Sequence, residues 1–194
     1  MIILASQSPT RQALLTLAGV TFTVRPPHFD ERQGMENFKP TNKTCLALHL
    51  ALEKARSLTP DYPESVVIGA DQTLHCNGEL FRKPLTRDAA RAQLLRLRGK
   101  THCLTSAVAC FLDSAPIWHH VAEAEITMRD FSDVALENYL DTAGEAVLGA
   151  VGSYHYEGNG IQLMETVRGD YHTILGFPVL PILAYLRSQG HIPT

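Results

Sequence analysis

The chain has 194 residues, of which 45% are hydrophobic, and this is enough for one sizeable domain, in one lobe or two. Its 17 basic and 20 acidic residues give a net charge of −3, which argues against a non-specific surface for nucleic acid or anionic membranes. No apolar run approaches the roughly 20 residues of a membrane span, and polar residues 7–12 interrupt the apolar start too early for a signal peptide. With four cysteines and no C-x-x-C pairing, we expect a cytoplasmic protein with buried thiols and no nucleic-acid or membrane partner.

Helical and strand-like segments alternate along the chain, which predicts an α/β fold. The first strand, 2–5, leads through a polar corner into a helix at 12–18, with Ser8 as a good N-cap and Pro9 suited to the first helical position. The other predicted elements are a strand at 21–24, a long loop at 25–42, a helix at 46–58, a strand at 66–70, a hairpin at 75–80, a helix at 88–97, strands at 104–112 and 120–128, a helix at 133–140, a glycine-rich loop at 144–160, a strand at 161–167 and a helix at 178–187. No repeat or low-complexity linker divides the sequence, so we expect one domain over residues 1–194.

The corner between the first strand and the first helix has the features of an anion site. A strand that runs into a capped helix presents free backbone N–H groups and the positive end of the helix dipole. Arg11 in the first turn would reinforce that site, which is how a phosphate-binding corner is built. Taken alone, these residues favour an ordinary strand–helix corner with a surface arginine.

Three further charged residues are candidates for chemistry. Asp71 directly follows the predicted strand 66–70, and ligands of open α/β sheets bind at the carboxyl ends of strands. A carboxylate there could hold a metal or activate a water, although capping a turn is the commoner use of such a residue. Lys54 in a predicted helix and Lys83 before Pro84 could contact phosphates as point charges, and the alternative for each is a solvated surface lysine.

The glycine-dense stretch 144–160 is the second candidate for ligand contact. Glycines let the backbone approach a ligand closely, and a merely flexible loop is the alternative interpretation. Glu157 in this stretch is suited to accept hydrogen bonds from N–H groups on the edge of a base such as guanine. None of the nine histidines has the spacing of a structural zinc site, so no transition-metal site is predicted.

The opening residues also form a specific pattern, Leu4-Ala5-Ser6-x-Ser8-Pro9-x-Arg11-x-x-Leu14-Leu15. This pattern resembles the first motif of the Maf family of nucleoside triphosphate pyrophosphatases, and further matches follow in the family's order. They are Phe29-Asp30-Glu31, Glu53-Lys54-Ala55, Gly69-Ala70-Asp71, Lys83-Pro84, Gly99-Lys100-Thr101-His102, the 152–160 loop, and Gly169-Asp170-Tyr171 with Gly176-Phe177-Pro178. Each match is weak alone, but their order across nearly the whole chain makes the resemblance strong.

The resemblance implies an elongated α/β fold related to the inosine triphosphate pyrophosphatases, with a mixed sheet, flanking helices and two lobes around a cleft. It implies hydrolysis of the α–β phosphoanhydride of nucleoside triphosphates to monophosphate and pyrophosphate, with Mg²⁺ or Mn²⁺ as cofactor. Dimers are common in the family, so a homodimer is compatible with it. The alternative is a non-catalytic nucleotide-binding regulator of cell division or septum formation, a role historically attached to the family; Asp71, Lys54 and Lys83 together favour the enzyme.

The resemblance also implies roles for individual residues. Asp71 would be the proton acceptor or a metal carboxylate, with Glu31 supporting the metal. A further set would bind the triphosphate, its cations neutralising charge and its serines shaping the pocket. The members of this set are Ser6, Ser8, Arg11, Lys54 and Lys83.

Three positions bear on which nucleotide is used. Family members that prefer dTTP and UTP tend to carry Arg, Thr and Gln where this chain has Thr10, Gln72 and Glu157. Gln72 and Glu157 resemble the 7-methyl-GTP type, and a carboxylate suits the N–H donors of guanine and the positive charge of its N7-methylated form. Thr10 departs from the bulky aromatic residue associated with that type, and Thr173 departs from the Asn that is the more usual residue at its place. The choice between 7-methyl-GTP and pyrimidine triphosphates stays open at this point.

Overall fold

The computed structural model describes residues 1–39 and 45–193. Its strands are β1 (Ile2–Ala5), β2 (Thr23–Arg25), β3 (Val66–Cys76), β4 (Glu79–Phe81), β5 (Thr101–Leu112), β6 (Ala115–Met128) and β7 (Met164–Arg168). Its α-helices are α1 (Pro9–Leu17), α2 (Glu31–Asn37), α3 (Leu46–Arg56), α4 (Arg87–Leu97), α5 (Asp133–Ala143), α6 (Tyr171–Ile174) and α7 (Val179–Ser188), and 3-10 helices cover Gly144–Gly149 and Asn159–Leu163. This alternation confirms the predicted α/β class.

The strands form one mixed sheet of seven in the order β2-β1-β3-β5-β6-β7, with β4 paired to β3. β1 runs parallel to both β2 and β3, whereas β4 is antiparallel to β3 and β7 is antiparallel to β6. The β3–β4 connection is the predicted hairpin, with Asn77 and Gly78 both at positive φ as a tight two-residue turn requires. A mixed sheet with flanking helices is therefore confirmed.

The chain divides into two compact units. The first comprises residues 1–72, 105–122 and 171–194, and the second comprises residues 73–104 and 123–170, as far as the chain is described. The expected single domain over residues 1–194 stays a prediction.

In the first unit, β1 is buried on both of its faces. Leu4 packs on one side with Leu15 of α1 and Ile182 of α7, while Ile3 packs on the other with Ala55 of α3. Helices therefore cover both sides of this parallel part of the sheet. That double cover explains why the sequence of β1 is continuously apolar rather than alternating.

In the second unit, α4 and α5 pack against each other and against the first 3-10 helix. Their inner faces bury Leu94 of α4 and Leu136 of α5. On their outer side, Glu137 of α5 forms ion pairs with Arg87 and Arg91 of α4. This unit thus has its own apolar interior and an outer layer of paired charges.

The long loop predicted at 25–42 is wrong, because α2 forms within it. Asp30 caps this helix, its Oδ1 accepting hydrogen bonds from the backbone N–H groups of Arg32 (2.9 Å) and Gln33 (3.2 Å). An aspartate at the N-cap satisfies donors that the first turn leaves without partners. The end of the predicted loop, 40–42, lies outside the described residues. The loop predicted at 144–160 is wrong in part, because the 3-10 helices Gly144–Gly149 and Asn159–Leu163 begin within it.

The predicted end of a strand at residue 70 is wrong as well, since β3 continues to Cys76. Its pairing with β1 ends where Ala5 lies opposite Gly69, and its last three residues, 74–76, pair with β4 in the hairpin. Asp71 therefore lies inside β3, two residues beyond Gly69, which is the last residue of β3 paired with β1. Asp71 was expected at the carboxyl end of its own strand, but it lies in the middle of β3. It lies just beyond the carboxyl end of the neighbouring parallel strand β1.

The cysteines are buried only in part. Cys76 and Cys110 are buried as expected, but Cys45 is exposed because it lies at the N-cap of α3, and Cys103 is only half-buried.

Within the described ranges, no helix has the length and apolar character needed to cross a lipid bilayer.

The backbone of α3 lies directly against β3 at Gly69. A Cβ placed on Gly69 would overlap the carbonyl oxygen of Ala51 and would lie 2.8 Å from the backbone nitrogen of Ala55. Both neighbours are backbone atoms of a helix, so neither can turn aside as a side chain could. Glycine is thus required here for close approach, and this contact sets the position of Lys54, which precedes Ala55.

We predict that Gly69→Ala destabilises the protein by about 1–3 kcal/mol or more, because overpacking a rigid contact forces the backbone to shift. Urea denaturation measures the change in the free energy of unfolding. Gly149→Ala is the control, since a Cβ there would meet no heavy atom within 4 Å. Equal stability of the two variants would contradict the close contact of α3 with β3.

Candidate active site

A buried ion pair between α3 and β3 forms the centre of the candidate site. Lys54 Nζ lies 3.1 Å from Asp71 Oδ1, and the side chains are only 9% and 8% exposed. Charged side chains are rarely buried unless they are paired, because removing a charge from water costs several kcal/mol. The pair is a candidate for function as well as for structure.

Glu31 joins this pair from α2. Its Oε2 lies 2.7 Å from the same Lys54 Nζ, and its side chain is more exposed than those of the other two. The ammonium group of Lys54 therefore bridges two carboxylates, from Glu31 and Asp71. Sequence reasoning named Glu31 through the family resemblance, and the unpredicted helix α2 is what holds it beside Lys54.

Arg11 contributes a second positive charge beside Asp71. Its Nη1 donates to the carbonyl of Ala70 at 2.8 Å, and its Nε donates to the carbonyl of Gly176 at 3.0 Å. Its Nη2 lies 3.8 Å from Asp71 Oδ1. Because β1 ends opposite Gly69, the carbonyl of Ala70 lies beyond the β1 ladder, and Arg11 supplies it with a donor.

Burial raises the pKa of Asp71 above its ordinary value, and the positive charges of Lys54 and Arg11 oppose that rise. Burial likewise lowers the pKa of Arg11, an effect that the charges of Asp71 and Glu31 oppose. Arginine nevertheless stays protonated in proteins. The site thus combines a permanent cation with a carboxylate whose proton affinity is increased.

The strand–helix corner has the capped geometry that the sequence predicts. The backbone N–H of Ser8 donates to Ser6 Oγ at 3.2 Å, and that of Arg11 donates to Ser8 Oγ at 3.4 Å. Ser6 is buried, and Ser8 and Thr10 are half-buried. The N-terminus of α1 and the guanidinium of Arg11 therefore belong to the same corner of the first unit.

Gln72 is bound to the protein itself through its amide nitrogen. Nε2 lies 3.0 Å from Ser106 Oγ and from the carbonyl of Thr173, and 2.9 Å from the carbonyl of Ile174. Ser106 also donates to the carbonyl of Thr173 at 2.7 Å. Sequence reasoning missed Ser106, although a serine before the apolar run 107–111 of β5 was a usable signal.

The other two candidates, Lys83 and Glu157, belong to the second unit. Lys83 is exposed. The carboxylate of Glu157 is 35% exposed, and its Oε1 lies 3.7 Å from His155 Nδ1. His155 Nε2 lies 2.9 Å from the carbonyl of Ala146, and since a carbonyl can only accept, Nε2 carries a proton. Sequence reasoning did not single out His155.

A buried contact fixes the start of the segment that carries Glu157. His102 Nε2 lies 2.6 Å from the hydroxyl of Tyr154, and burial lowers the pKa of His102 to about 4. Gly160 lies against the backbone of His155, since a Cβ there would be 2.9 Å from its nitrogen. Packing at both ends makes the 154–160 segment an ordered part of the second unit, unlike the flexible loop considered from sequence.

Two carboxylates of the candidate site fit a hard divalent cation. Asp71 Oδ2 is buried and has no hydrogen-bond partner among the described residues. The carboxylate of Glu31 is nearby, because it contacts the same Lys54 ammonium group as Asp71. Mg²⁺ is usually bound through one or two carboxylates together with phosphates of the substrate. No group of three or more His, Cys, Asp and Glu side chains suited to a metal occurs in residues 1–39 and 45–193. The donor set therefore fits a cation shared with a phosphorylated ligand.

Comparisons with known proteins cover nearly the whole chain. Residues 1–189 match the family model described as "Maf-like protein". A "Nucleoside triphosphate pyrophosphatase" of Nitrobacter winogradskyi is 47% identical over 188 residues, which are 97% of this chain and 93% of that protein. A "7-methyl-GTP pyrophosphatase" of Rhizobium etli is 41% identical over 196 residues, covering 98% of this chain and 97% of that protein.

A solved structure, described as a "Nucleoside-triphosphatase / dITP/XTP pyrophosphatase" of Mycobacterium abscessus, is similar with a TM-score of 0.45 and 13% identity. It covers 99% of this chain and 97% of that one. A likeness of this size carries no argument about the site.

We predict that His155 titrates above the ordinary histidine pKa of about 6.5. The contacts with Glu157 raise the pKa of His155, burial lowers it, and the Ala146 carbonyl raises it. The contact with His155 in turn lowers the pKa of Glu157. The pair therefore stabilises the fold fully only when the pH lies below the pKa of His155 in the unfolded chain and above the pKa of Glu157 in the unfolded chain. This stabilisation is lost as the pH rises through the raised pKa of His155 in the folded protein, or as it falls through the lowered pKa of Glu157.

Two-dimensional NMR of the imidazole nitrogens measures this titration, with His102 as an internal control that stays neutral near pH 7. In Glu157→Gln the midpoint of His155 should fall towards the ordinary value while His102 is unchanged. A midpoint of His155 that does not respond to Glu157→Gln would contradict the pairing.

Proposed function

Because the chain belongs to the Maf-like protein family, we propose that it hydrolyses nucleoside triphosphates at the α–β phosphoanhydride, releasing the monophosphate and pyrophosphate. The observation that carries this proposal is the state of Asp71. One of its oxygens is bound to Lys54, and the other is buried without a hydrogen-bond partner among the described residues. A carboxylate with one unengaged oxygen and a raised pKa is suited to accept a proton from an attacking water.

The other candidate residues of the first unit, two cations and two serines, would bind the triphosphate. Arg11 and Lys54 both supply positive charge beside Oδ1 of Asp71, and phosphoryl chemistry depends mainly on positioning and charge neutralisation. Ser6 and Ser8 shape the N-terminus of α1, where backbone N–H groups and the helix dipole favour a phosphate.

Two more sources of positive charge complete the proposal. Lys83, exposed in the second unit, would add a cation for the phosphates. Asp71 and Glu31 would hold Mg²⁺ or Mn²⁺, and when bound the cation neutralises charge on the phosphates and polarises them.

For the base we propose 7-methyl-GTP, with Glu157 accepting hydrogen bonds from the guanine edge. A carboxylate also favours the positive charge of an N7-methylated base, and the Rhizobium etli relative bears that substrate in its name. The Nitrobacter winogradskyi relative has a slightly higher identity and a general name, so identity alone does not choose the base. The chemistry of Glu157 therefore carries this part of the proposal, and the role of Thr10 stays a prediction.

A non-catalytic regulator of cell division is the alternative considered from sequence. The curated relatives are named as pyrophosphatases, which favours the enzyme. A cytoplasmic location and a homodimer remain predictions.

We predict that Asp71→Asn lowers kcat by about 10²–10⁴-fold, because the amide cannot take a proton from water. In the absence of a divalent cation, nucleotide affinity should be kept or should increase, since Lys54 and Arg11 lose their shared counter-charge. Pyrophosphate release measures turnover, and calorimetric titration with nucleotide measures binding.

Asp61→Asn is the matched control, because Asp61 is an aspartate 54% exposed and paired with His28. It should turn over normally. Near-normal turnover of Asp71→Asn would show that Asp71 is not the proton acceptor.

A further inference from the structure

The amide of Gln72 is oriented by two backbone carbonyls. Nε2 contacts the carbonyl oxygens of Thr173 and Ile174, which can only accept, so the nitrogen of the amide must face them. Its third contact is Ser106 Oγ, which itself donates to Thr173. The two N–H bonds of Gln72 are therefore shared among three acceptors of its own protein, and neither is available to a base.

These contacts hold the turn formed by residues 173–176, hereafter the 173–176 turn. The N–H of Gly176 donates to the carbonyl of Thr173 at 3.1 Å, the same oxygen that Gln72 contacts. Gly176 has a φ of +85°, which favours glycine, and a Cβ there would lie 3.4 Å from Cδ and Oε1 of Gln72. Gln72 thus lies against Gly176 and is bonded to the other end of the turn.

The 173–176 turn also orients Arg11. The carbonyl of Gly176 accepts from Arg11 Nε at 3.0 Å, and this bond and the bond to Ala70 fix the plane of the guanidinium. Arg11 is 12% exposed, so water provides little replacement for a lost partner. A displacement of Gly176 would therefore rotate or release the guanidinium beside Asp71.

We propose that Gln72 is a positioning residue for phosphate binding, which acts by holding the 173–176 turn and through it the guanidinium of Arg11. This inference rests on the proposed function in one respect, the binding of the triphosphate by Arg11. The sequence predicts a role in base preference for Gln72, and the structure-based inference replaces that role with one in phosphate binding. A base reader acts on the nucleoside, whereas a residue that positions Arg11 acts on the phosphates whatever the base.

Inorganic tripolyphosphate separates these roles, because it has phosphates and no base. Gln72→Thr introduces the residue found in pyrimidine-preferring family members, and it is too short to reach the turn. Gln72→Met keeps the length of the side chain and removes the donor, and it serves as a second variant should the first not fold. We expect either change to weaken tripolyphosphate binding about tenfold by calorimetry, the scale of a lost hydrogen bond to a charged group. The ranking of nucleoside triphosphates by kcat/KM should stay the same.

Coupling to Arg11 is tested in the same assay. In an Arg11→Lys background, changing Gln72 should weaken tripolyphosphate binding little further, because the group that Gln72 positions is already gone. Thr59→Val is the control for general loss of stability, since it removes one buried hydroxyl that donates to the Arg56 carbonyl. It should leave tripolyphosphate binding unchanged.

The Nε–H signal of Arg11 in ¹⁵N NMR gives a readout that needs no ligand. This N–H should exchange with solvent slowly in the wild type and faster in both Gln72 variants, but not in Thr59→Val. If Arg11→Lys itself leaves tripolyphosphate binding intact, the phosphate role of Arg11 fails, and with it the phosphate role of Gln72. Faster exchange would then still support the positioning of Arg11 by Gln72.

Three results would overturn the inference. The first is unchanged tripolyphosphate binding with an altered nucleotide ranking in Gln72→Thr, which would make Gln72 a base reader. The second is a full additional loss on changing Gln72 in the Arg11→Lys background. The third is unchanged exchange of the Arg11 Nε–H in both Gln72 variants.

Discussion

Helix α3 can lie against β3 only because Gly69 has no side chain at the point where the two backbones meet. Asp71 follows two residues later on the same face of the strand, and Lys54 lies on the helical turn in contact. The close approach thus brings the ammonium of Lys54 within 3.1 Å of a buried carboxylate. Removing two charges from water is costly unless they are paired at short range, so the packing contact and the ion pair depend on each other.

The charges around Asp71 balance within the first unit. Arg11 and Lys54 are positive, and Glu31 and Asp71 are negative, so the four side chains together carry no net charge when all are ionised. This balance stabilises the site in the absence of substrate. A triphosphate brings several further negative charges, and that excess is the physical reason for including Lys83 and a divalent cation in the proposed function.

Local signals in the sequence predicted the parts of the fold that depend on neighbouring residues. The cap at Ser8 and the turn at Asn77 follow from rules about single residues, and the structure has both. The full length of β3 could not be predicted in this way, because its pairing with β1 stops at Gly69 and its last three residues pair with β4 instead. The partners of Gln72 lie 34 to 102 residues away in sequence, so only the folded chain shows that its amide faces backbone carbonyls.

The function proposed for this protein is hydrolysis at the α–β phosphoanhydride, with the base chosen through Glu157. The most direct measurement is kcat/KM, with identification of the products, for 7-methyl-GTP, GTP, CTP, UTP and dTTP in the presence of Mg²⁺ or Mn²⁺, using the wild type and Glu157→Gln. We expect pyrophosphate and monophosphate as products, 7-methyl-GTP as the best substrate, and a loss of that preference in Glu157→Gln. Release of orthophosphate, hydrolysis of none of the five, or a ranking that Glu157→Gln leaves unchanged would show that the proposed function is wrong.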